Sequence, residues 1–340
     1  MPQTQATISE VINDPHWFPF SFDQEYRHLT FVKTDAQTLR DAPFLDGRFI
    51  TKNVARQTVP IDLLLSELPV SRNLPPPMIF HSAFCCSTLM AKALDKPGLC
   101  LSLKEPEIIM SLANAKRMLP RANRPGEDFK QMYELVMHLL ARRFSSEEIV
   151  MIKPTNSANN LLEDAVVCNA PIVLMFASLE DFLVSVLKKG EACRSFIRTQ
   201  FNIFTLDPCA MADIPPRQAF TFTDLQIATL VWRHQLELFY HVQLSYKGNV
   251  ATIRDKNFLS DLHTHAQLAS TTLGLKHSSE QLQTIVSGEL FNRNVKHDGQ
   301  KMNAEQRSSQ AMEIKKKYSS ELNDTLNWAK NVKFNNGVLN

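Results

Sequence analysis

The chain has 340 residues, 44% hydrophobic and 21% charged, the balance of an ordinary globular protein rather than a disordered one. Its formal net charge of +2 argues against a nucleic acid or an acidic membrane as main partner, so any anion site has to be local. The opening residues MPQTQATISEVINDPHW lack the basic start and apolar run of a signal peptide, and no apolar stretch is long enough to span a bilayer, so the expected location is cytoplasmic.

Residues 1–74 are rich in aromatics and turn formers, from His16-Trp17-Phe18-Pro19-Phe20 to Asp46-Gly47-Arg48. Leu29–Val32 and Arg48–Thr51 read as short strands and Ile61–Leu68 as a short helix, together a covering segment. Pro75-Pro76-Pro77 marks a boundary, because a proline run joins neither a ladder nor a helix. Met78–Phe80 then reads as a buried strand, and Leu89, Met90, Ala93 and Leu94 give Ser87–Leu94 a helical stripe. Leu99–Leu103 is a second apolar run of strand length, ending at Lys104-Glu105-Pro106.

Between Phe129 and Phe144, apolar residues recur at intervals of three and four, which predicts an amphipathic helix. Ile149–Ile152, Ile172–Phe176 and Val250–Ile253 are further strands. Helices are predicted at Leu179–Lys189, at 223–243 with Thr223 or Asp224 as cap, and at 257–273 and 278–287. Lys188-Lys189-Gly190 reads as a helix end. Apolar strands alternating with amphipathic helices indicate a three-layer, doubly wound, mostly parallel α/β sheet with flanking helices over 75–300. The polar tail, 301–340, repeats Ile314, Tyr318, Leu322 and Leu326 at every fourth residue, as one last helix would.

The six cysteines, Cys85, Cys86, Cys100, Cys168, Cys193 and Cys209, fit neither a disulfide framework nor a metal knuckle and read as thiols. His263 and His265 are two apart, which on a helix puts them on different faces, so no metal is expected there. Trp232 reads as core, and Lys315-Lys316-Lys317 as a solvated face or a dock for an acidic partner.

In open parallel sheets, ligands bind beyond the carboxyl ends of the strands. The first core strand is followed by His81-Ser82-Ala83-Phe84-Cys85-Cys86-Ser87-Thr88. A helix starting near Ser87 leaves its first amides unpaired at the loop, where they and the helix dipole favour phosphate. The same residues also suit a plain helix cap. The Gly-Lys-[Ser/Thr] ending of nucleotide hydrolases, which places a lysine on the phosphates and a hydroxyl on magnesium, is absent. That disfavours a P-loop kinase-like phosphotransferase.

FHSAFCCSTLMAKAL resembles the first loop of the P-loop sulfotransferases, a strand followed by Lys/Arg-Ser-Gly-Thr-Thr and an apolar helix. In this resemblance Cys85, Cys86, Ser87 and Thr88 hold the 5′-phosphosulfate of 3′-phosphoadenosine-5′-phosphosulfate. PIVLMFASLEDFLVSVLKKG is similar to the second family motif, with Asp181 and Ser185 at its last two fixed positions, so Ser185 touches the 3′-phosphate. Val250–Asp255 resembles the family's later strand ending in an acidic residue. Phe84 and Ala177 stand where the family has basic residues; Arg194, Arg198, Lys153 and His81 are candidates to replace that charge.

Several branches of that family use a glutamate after the second strand as base, which implies that Glu105 deprotonates the acceptor. Lys104 is placed to assist the leaving oxygen. Equally, Lys104-Glu105-Pro106 suits a turn into a helix. Lys153-Pro154-Thr155-Asn156 resembles the family's Lys-Pro segment and implies a substrate contact, against a solvated strand-end lysine. Two functions follow. One is sulfuryl transfer to a hydroxyl or amine on a small-molecule or conjugate acceptor, with no metal. The other is a non-catalytic nucleotide- or phosphate-binding module on the same fold.

Overall fold

Two sheets organise the chain, one antiparallel and N-terminal, the other parallel and central. The computed structural model describes residues 6–50, 54–69, 74–122, 126–207, 216–288 and 304–331, with only the backbone of 216 and 304–308.

The first sheet is a meander of β1 (Trp17–Phe22), β2 (His28–Lys33) and β3 (Arg56–Pro60), with helices α1 (Ile8–Asn13), α2 (Ala36–Asp41) and α3 (Ile61–Ser66) around it. Leu29–Val32 lies within β2, and the predicted helix after it is α3. Arg48–Ile50 is a turn and not the predicted strand: Phe49 packs its ring against Phe18 and Phe20 instead of joining a ladder. Thr51 lies outside the described residues.

The second sheet is built from β4 (Met78–His81), β5 (Cys100–Lys104), β6 (Ile149–Lys153), β7 (Ile172–Phe176) and β8 (Val250–Arg254). All five are parallel, in the order β5-β6-β4-β7-β8. Each matches an apolar run of the sequence, because the central strands are buried on both faces and need no polar alternation.

From β4 the chain moves outward to β5 through α4 (Ser87–Leu94), then back to β6 through α5 (Glu107–Met118) and α6 (Gly126–Leu140). It next crosses to β7 through a 3₁₀ turn (Asn156–Leu161) and α7 (Leu162–Val167). It reaches β8 through α8 (Leu179–Phe204), α9 (Pro216–Ala219) and α10 (Asp224–Ser245). Right-handed crossovers in opposite directions put α4 on one face of the sheet and the later helices on the other. After β8, α11 (Asp255–Ser260), α12 (Leu262–Thr272) and α13 (Ser279–Val286) follow, and α12 and α13 pack on α4. The result is the expected three-layer, doubly wound α/β arrangement.

Three helix predictions are corrected: the segment 257–273 is not one helix but α11 and α12, parted at Asp261 in non-helical backbone (φ −143°, ψ 82°). α8 does not end at Lys189 but runs to Phe204, with a kink at Gly190 (φ 68°, ψ −152°), a backbone state open essentially to glycine alone. The tail is two helices, α14 (Ala304–Lys317) and α15 (Ser319–Asn331), broken at Tyr318, and they pack on α8 and α10.

Two buried arginines bind the N-terminal segment to the parallel sheet. Arg142, after α6, donates to the carbonyls of Val11, Ile12 and Asp14 at the end of α1 and of Trp17 in β1. Burial without a carboxylate in hydrogen-bond contact pulls its pKa down to about 9. Arg40 of α2 pairs with Asp95 and Glu148 beneath the sheet edge.

Candidate active site at the carboxyl edge of the sheet

The order β5-β6-β4-β7-β8 places a topological switch point beside β4, where crossovers leave to opposite faces and a crevice opens. Into this edge run Glu105 from β5, Lys153 from β6, the Ser82–Cys86 loop from β4, Ser178 and α8 from β7, and Asp255 from β8. Of six non-glycine residues with positive φ among the described residues, Ala83, Phe84, Cys86 and Glu105 lie here. Left-handed backbone is costly for such side chains and concentrates where a binding geometry demands it.

Three side chains line up under the loop. Lys153 Nζ, fully buried, donates to Glu105 Oε1 at 2.6 Å and lies 3.0 Å from His81 Nε2. His81 Nδ1 accepts the N–H of Ala83 at 3.1 Å, which leaves Nε2 to carry the ring proton toward the Pro154 carbonyl at 3.0 Å. The loop backbone is thereby tied to His81, and beside that ring Lys153 holds Glu105. Glu105 Oε2 accepts no hydrogen bond among the described residues, and a fifth of the side chain (21%) is exposed. One oxygen is fixed and the other is open to a ligand.

Cys86 caps α4 in the left-handed conformation and contributes no side-chain cap bond, and the Leu89 N–H turns back onto the Cys86 carbonyl at 3.0 Å. Ser87 and Thr88 are buried at the helix mouth. Among the described residues Thr88 Oγ1 has no hydrogen-bond partner, and side chains in a first turn lean back toward the helix start. Cys85 is different: its sulfur is buried against the Met175 carbonyl at 3.3 Å, and burial pushes the thiol up to about 11. The thiol also meets Ser87 at the start of α4, so it bridges sheet and loop.

A buried amide layer supports the loop from below. Asn159 donates to the His81 carbonyl, Gln235 of α10 to the Ser82 carbonyl, and Ser82 Oγ accepts from Ala177 N–H. Trp232 is core, as its apolar neighbours in α10 suggested, and its Nε1 donates to the Ala177 carbonyl at 2.8 Å.

On the β7 side, Ser178 caps α8 and bonds Asp181. Asp181 also takes Lys256 at 2.9 Å, and these bonds hold its carboxyl below the ordinary range against the burial that would raise it. Ser185 follows one turn later, half-buried. Asp255, buried at the end of β8, is pushed up to about 6 chiefly by burial.

Three sequence candidates go elsewhere. Lys104 cannot assist a leaving group at the loop: period-two alternation turns it away from Glu105, and its ammonium bonds the Leu39 and Arg40 carbonyls and Asp95. Arg194 and Arg198 meet Asp224 in a clamp between α8 and α10. The two histidines of α12 hydrogen-bond locally, His263 to Ser279 and His265 to the Asp261 carbonyl.

Two cations at the edge escaped the sequence reading. Leu45 N–H bonds the Lys104 carbonyl and Glu107 N–H bonds the Leu45 carbonyl, so the Phe44–Arg48 turn crosses the end of β5. It brings Arg48 into the field of Glu105, with its guanidinium paired to Asp46 and over the Phe44 ring. Lys189 of α8 rests over the Phe84 ring, 3.6 Å from its centroid. The three-residue and four-residue steps from Phe182 to Ser185 to Lys189 were the available signal, since they share one helix face.

Among the described residues no helix is long and apolar enough to cross a membrane. No family model matches the chain, and no curated protein does. Among solved structures the chain is similar to the sulfotransferase domain from the curacin biosynthetic pathway, with 12% identity over 76% of this chain and 99% of that chain and a TM-score of 0.40. The fold assignment rests on the strand order and parallel pairing themselves.

Proposed function

We propose that the chain binds a phosphorylated nucleotide at the Ser82–Thr88 loop and transfers a sulfuryl group to a hydroxyl or amine, with Glu105 as base. The observation that carries this reading is the state of Glu105. Its Oε1 is pinned by a buried lysine while its Oε2 is open, beside a loop whose helix amides favour an anion.

3′-Phosphoadenosine-5′-phosphosulfate, the donor in this reading, supplies a sulfuryl group already activated by its bond to phosphate. The described residues fit its phosphates: Thr88 offers an unpartnered hydroxyl at the helix mouth, and Ser185 lies on the helix after β7. Glu105 Oε2 takes the acceptor's proton as the acceptor oxygen or nitrogen attacks. Lys153 keeps the carboxylate oriented. The loop amides steady charge on the departing phosphate.

A second reading, a phosphate-binding module without transfer, draws on Phe84 and Ala177, which put no positive charge into the two loops themselves. Both readings require a nucleotide site. Saturating 3′,5′-adenosine bisphosphate should raise the melting temperature by several degrees over buffer, since ligand at a hundredfold over its Kd adds about 2.7 kcal/mol. Magnesium-ATP should do much less. No rise with either nucleotide removes both readings; a rise with the bisphosphate but no transfer to any acceptor class leaves the second.

A further inference from the structure

The ring of His81, the last residue of β4, has two nitrogens and three polar neighbours. Nδ1 accepts the Ala83 N–H at 3.1 Å, while Nε2 lies 3.0 Å from the Pro154 carbonyl and 3.0 Å from Lys153 Nζ. A backbone amide has only a hydrogen to offer and a carbonyl only lone pairs, so these two contacts together require the ring proton on Nε2. Lys153, which donates to Glu105 as an ammonium, then faces an N–H and has no lone pair to accept it. The ring is 5% exposed and Lys153 fully buried, so bulk solvent does not take over either contact.

Moving the ring proton to Nδ1 reverses the balance. Nε2 then accepts from Lys153, whose ammonium still has a hydrogen for Glu105, at the cost of the Ala83 and Pro154 contacts. With the loop in its present shape, two backbone contacts hold the proton on Nε2 against one from the lysine. A ligand oxygen that takes the Ala83 N–H removes one of those two. Ala83 is placed for this: it stands in the left-handed run of the loop (φ 67°, followed by Phe84 at φ 54°). The carbonyl of the same peptide, on Ser82, is held by Gln235 Nε2 at 3.3 Å, a long hydrogen bond that a turn of the peptide gives up cheaply.

We propose that His81 is a positioning residue whose ring proton follows the state of the loop: an anion that takes the Ala83 N–H moves that proton from Nε2 to Nδ1, and Lys153 then binds His81 and Glu105 together. The ring stays neutral, losing one proton to solvent at Nε2 and gaining one from it at Nδ1. Lys153 is steadied as an ammonium, so Glu105 is held as an oriented carboxylate when the loop is occupied. The proposal rests on the nucleotide-binding reading above and adds how an occupied loop readies the base.

The test is nitrogen NMR of the full chain carrying isotope-labelled histidine, in buffer and with saturating 3′,5′-adenosine bisphosphate, with calorimetry on the same samples to show binding. The chain has 10 histidines, and His81→Gln identifies the signal by its loss. In buffer Nε2 should resonate as the protonated nitrogen and Nδ1 as the bare one, and with the bisphosphate bound the two should exchange places. Lys153→Met, which has no hydrogen to give Nε2, should bind the bisphosphate with the ring unchanged. Exchange in Lys153→Met as well overturns the part given to Lys153; if that variant does not fold, the two wild-type spectra decide. Binding to wild type without exchange overturns the proposal and spares the nucleotide reading. Absence of binding to wild type overturns both.

Discussion

Lys104 and Glu105 are neighbours in the chain, and the ion pairs they join differ chiefly in access to water. Lys104 enters a closed set with Asp95, Arg40 and Glu148, whose side chains are 10% exposed or less. Two positive and two negative groups cancel there. Burial works against charge in the pair, lowering the lysine's pKa and raising the aspartate's, so the set holds its charge only as a whole. Glu105 joins a set of the opposite kind. Lys153 and His81 are buried beneath it, yet one carboxylate oxygen faces out and Arg48 beside it is largely exposed. A closed neutral cluster fixes structure, whereas an open one with a spare oxygen can do chemistry.

Substitutions on each side should separate the two clusters. Glu105→Gln keeps an oxygen for Lys153 and removes the base, so transfer should fall by roughly 10²–10⁴-fold. Its stability should fall by only about 1–3 kcal/mol, as for a weakened charged hydrogen bond. Transfer retained within threefold would take Glu105 out of the base role. Arg40→Met should do the reverse, costing about 3–5 kcal/mol in urea unfolding because it leaves Asp95 and Glu148 buried without their arginine. A loss below about 1 kcal/mol would show that the closed cluster is not what binds α2 to the sheet.

Asp255 sharpens the contrast through pH. Its carboxyl is held at about 6 in the fold against 3.8 in an open chain, so the folded state binds its proton more tightly. Stability from this group is therefore greatest below pH 4 and is lost as pH rises through 6. The penalty at pH 8 is at most about 3 kcal/mol. Asp255→Asn should stabilise the protein at pH 8 by up to that amount and not at all below pH 4, read from urea midpoints across pH. Lys256, Asp181, Arg254 and Cys85 are the titratable or charged groups acting with or on Asp255, so the same series in Lys256→Met checks whether the effect belongs to Asp255. A pH-independent difference would assign it to packing.

Much of the architecture was legible along the chain. The strands of the parallel sheet are uninterrupted apolar runs, Ser87–Leu94 carries its helical stripe, and Thr223 caps α10 with Gln226 closing the capping box. The misses share a cause. Arg48–Ile50 has strand-forming residues, but Phe49 finds two aromatic rings to pack on. The helix stop at Gly190 is a real break in the backbone, yet packing on α10 carries α8 past it.

The sequence by itself determined which segments form strands and helices, and that an amide-lined loop follows the first core strand, because burial periodicity and helix-end chemistry are local. It also put Glu105 and Lys153 at strand ends. Only the tertiary structure decided that these two meet at 2.6 Å, that Lys104 turns into a sealed cluster, and that Lys189 comes to rest on Phe84. Those outcomes depend on which strands are neighbours and which helix faces the loop. Both are set by long-range packing between residues that no local pattern relates.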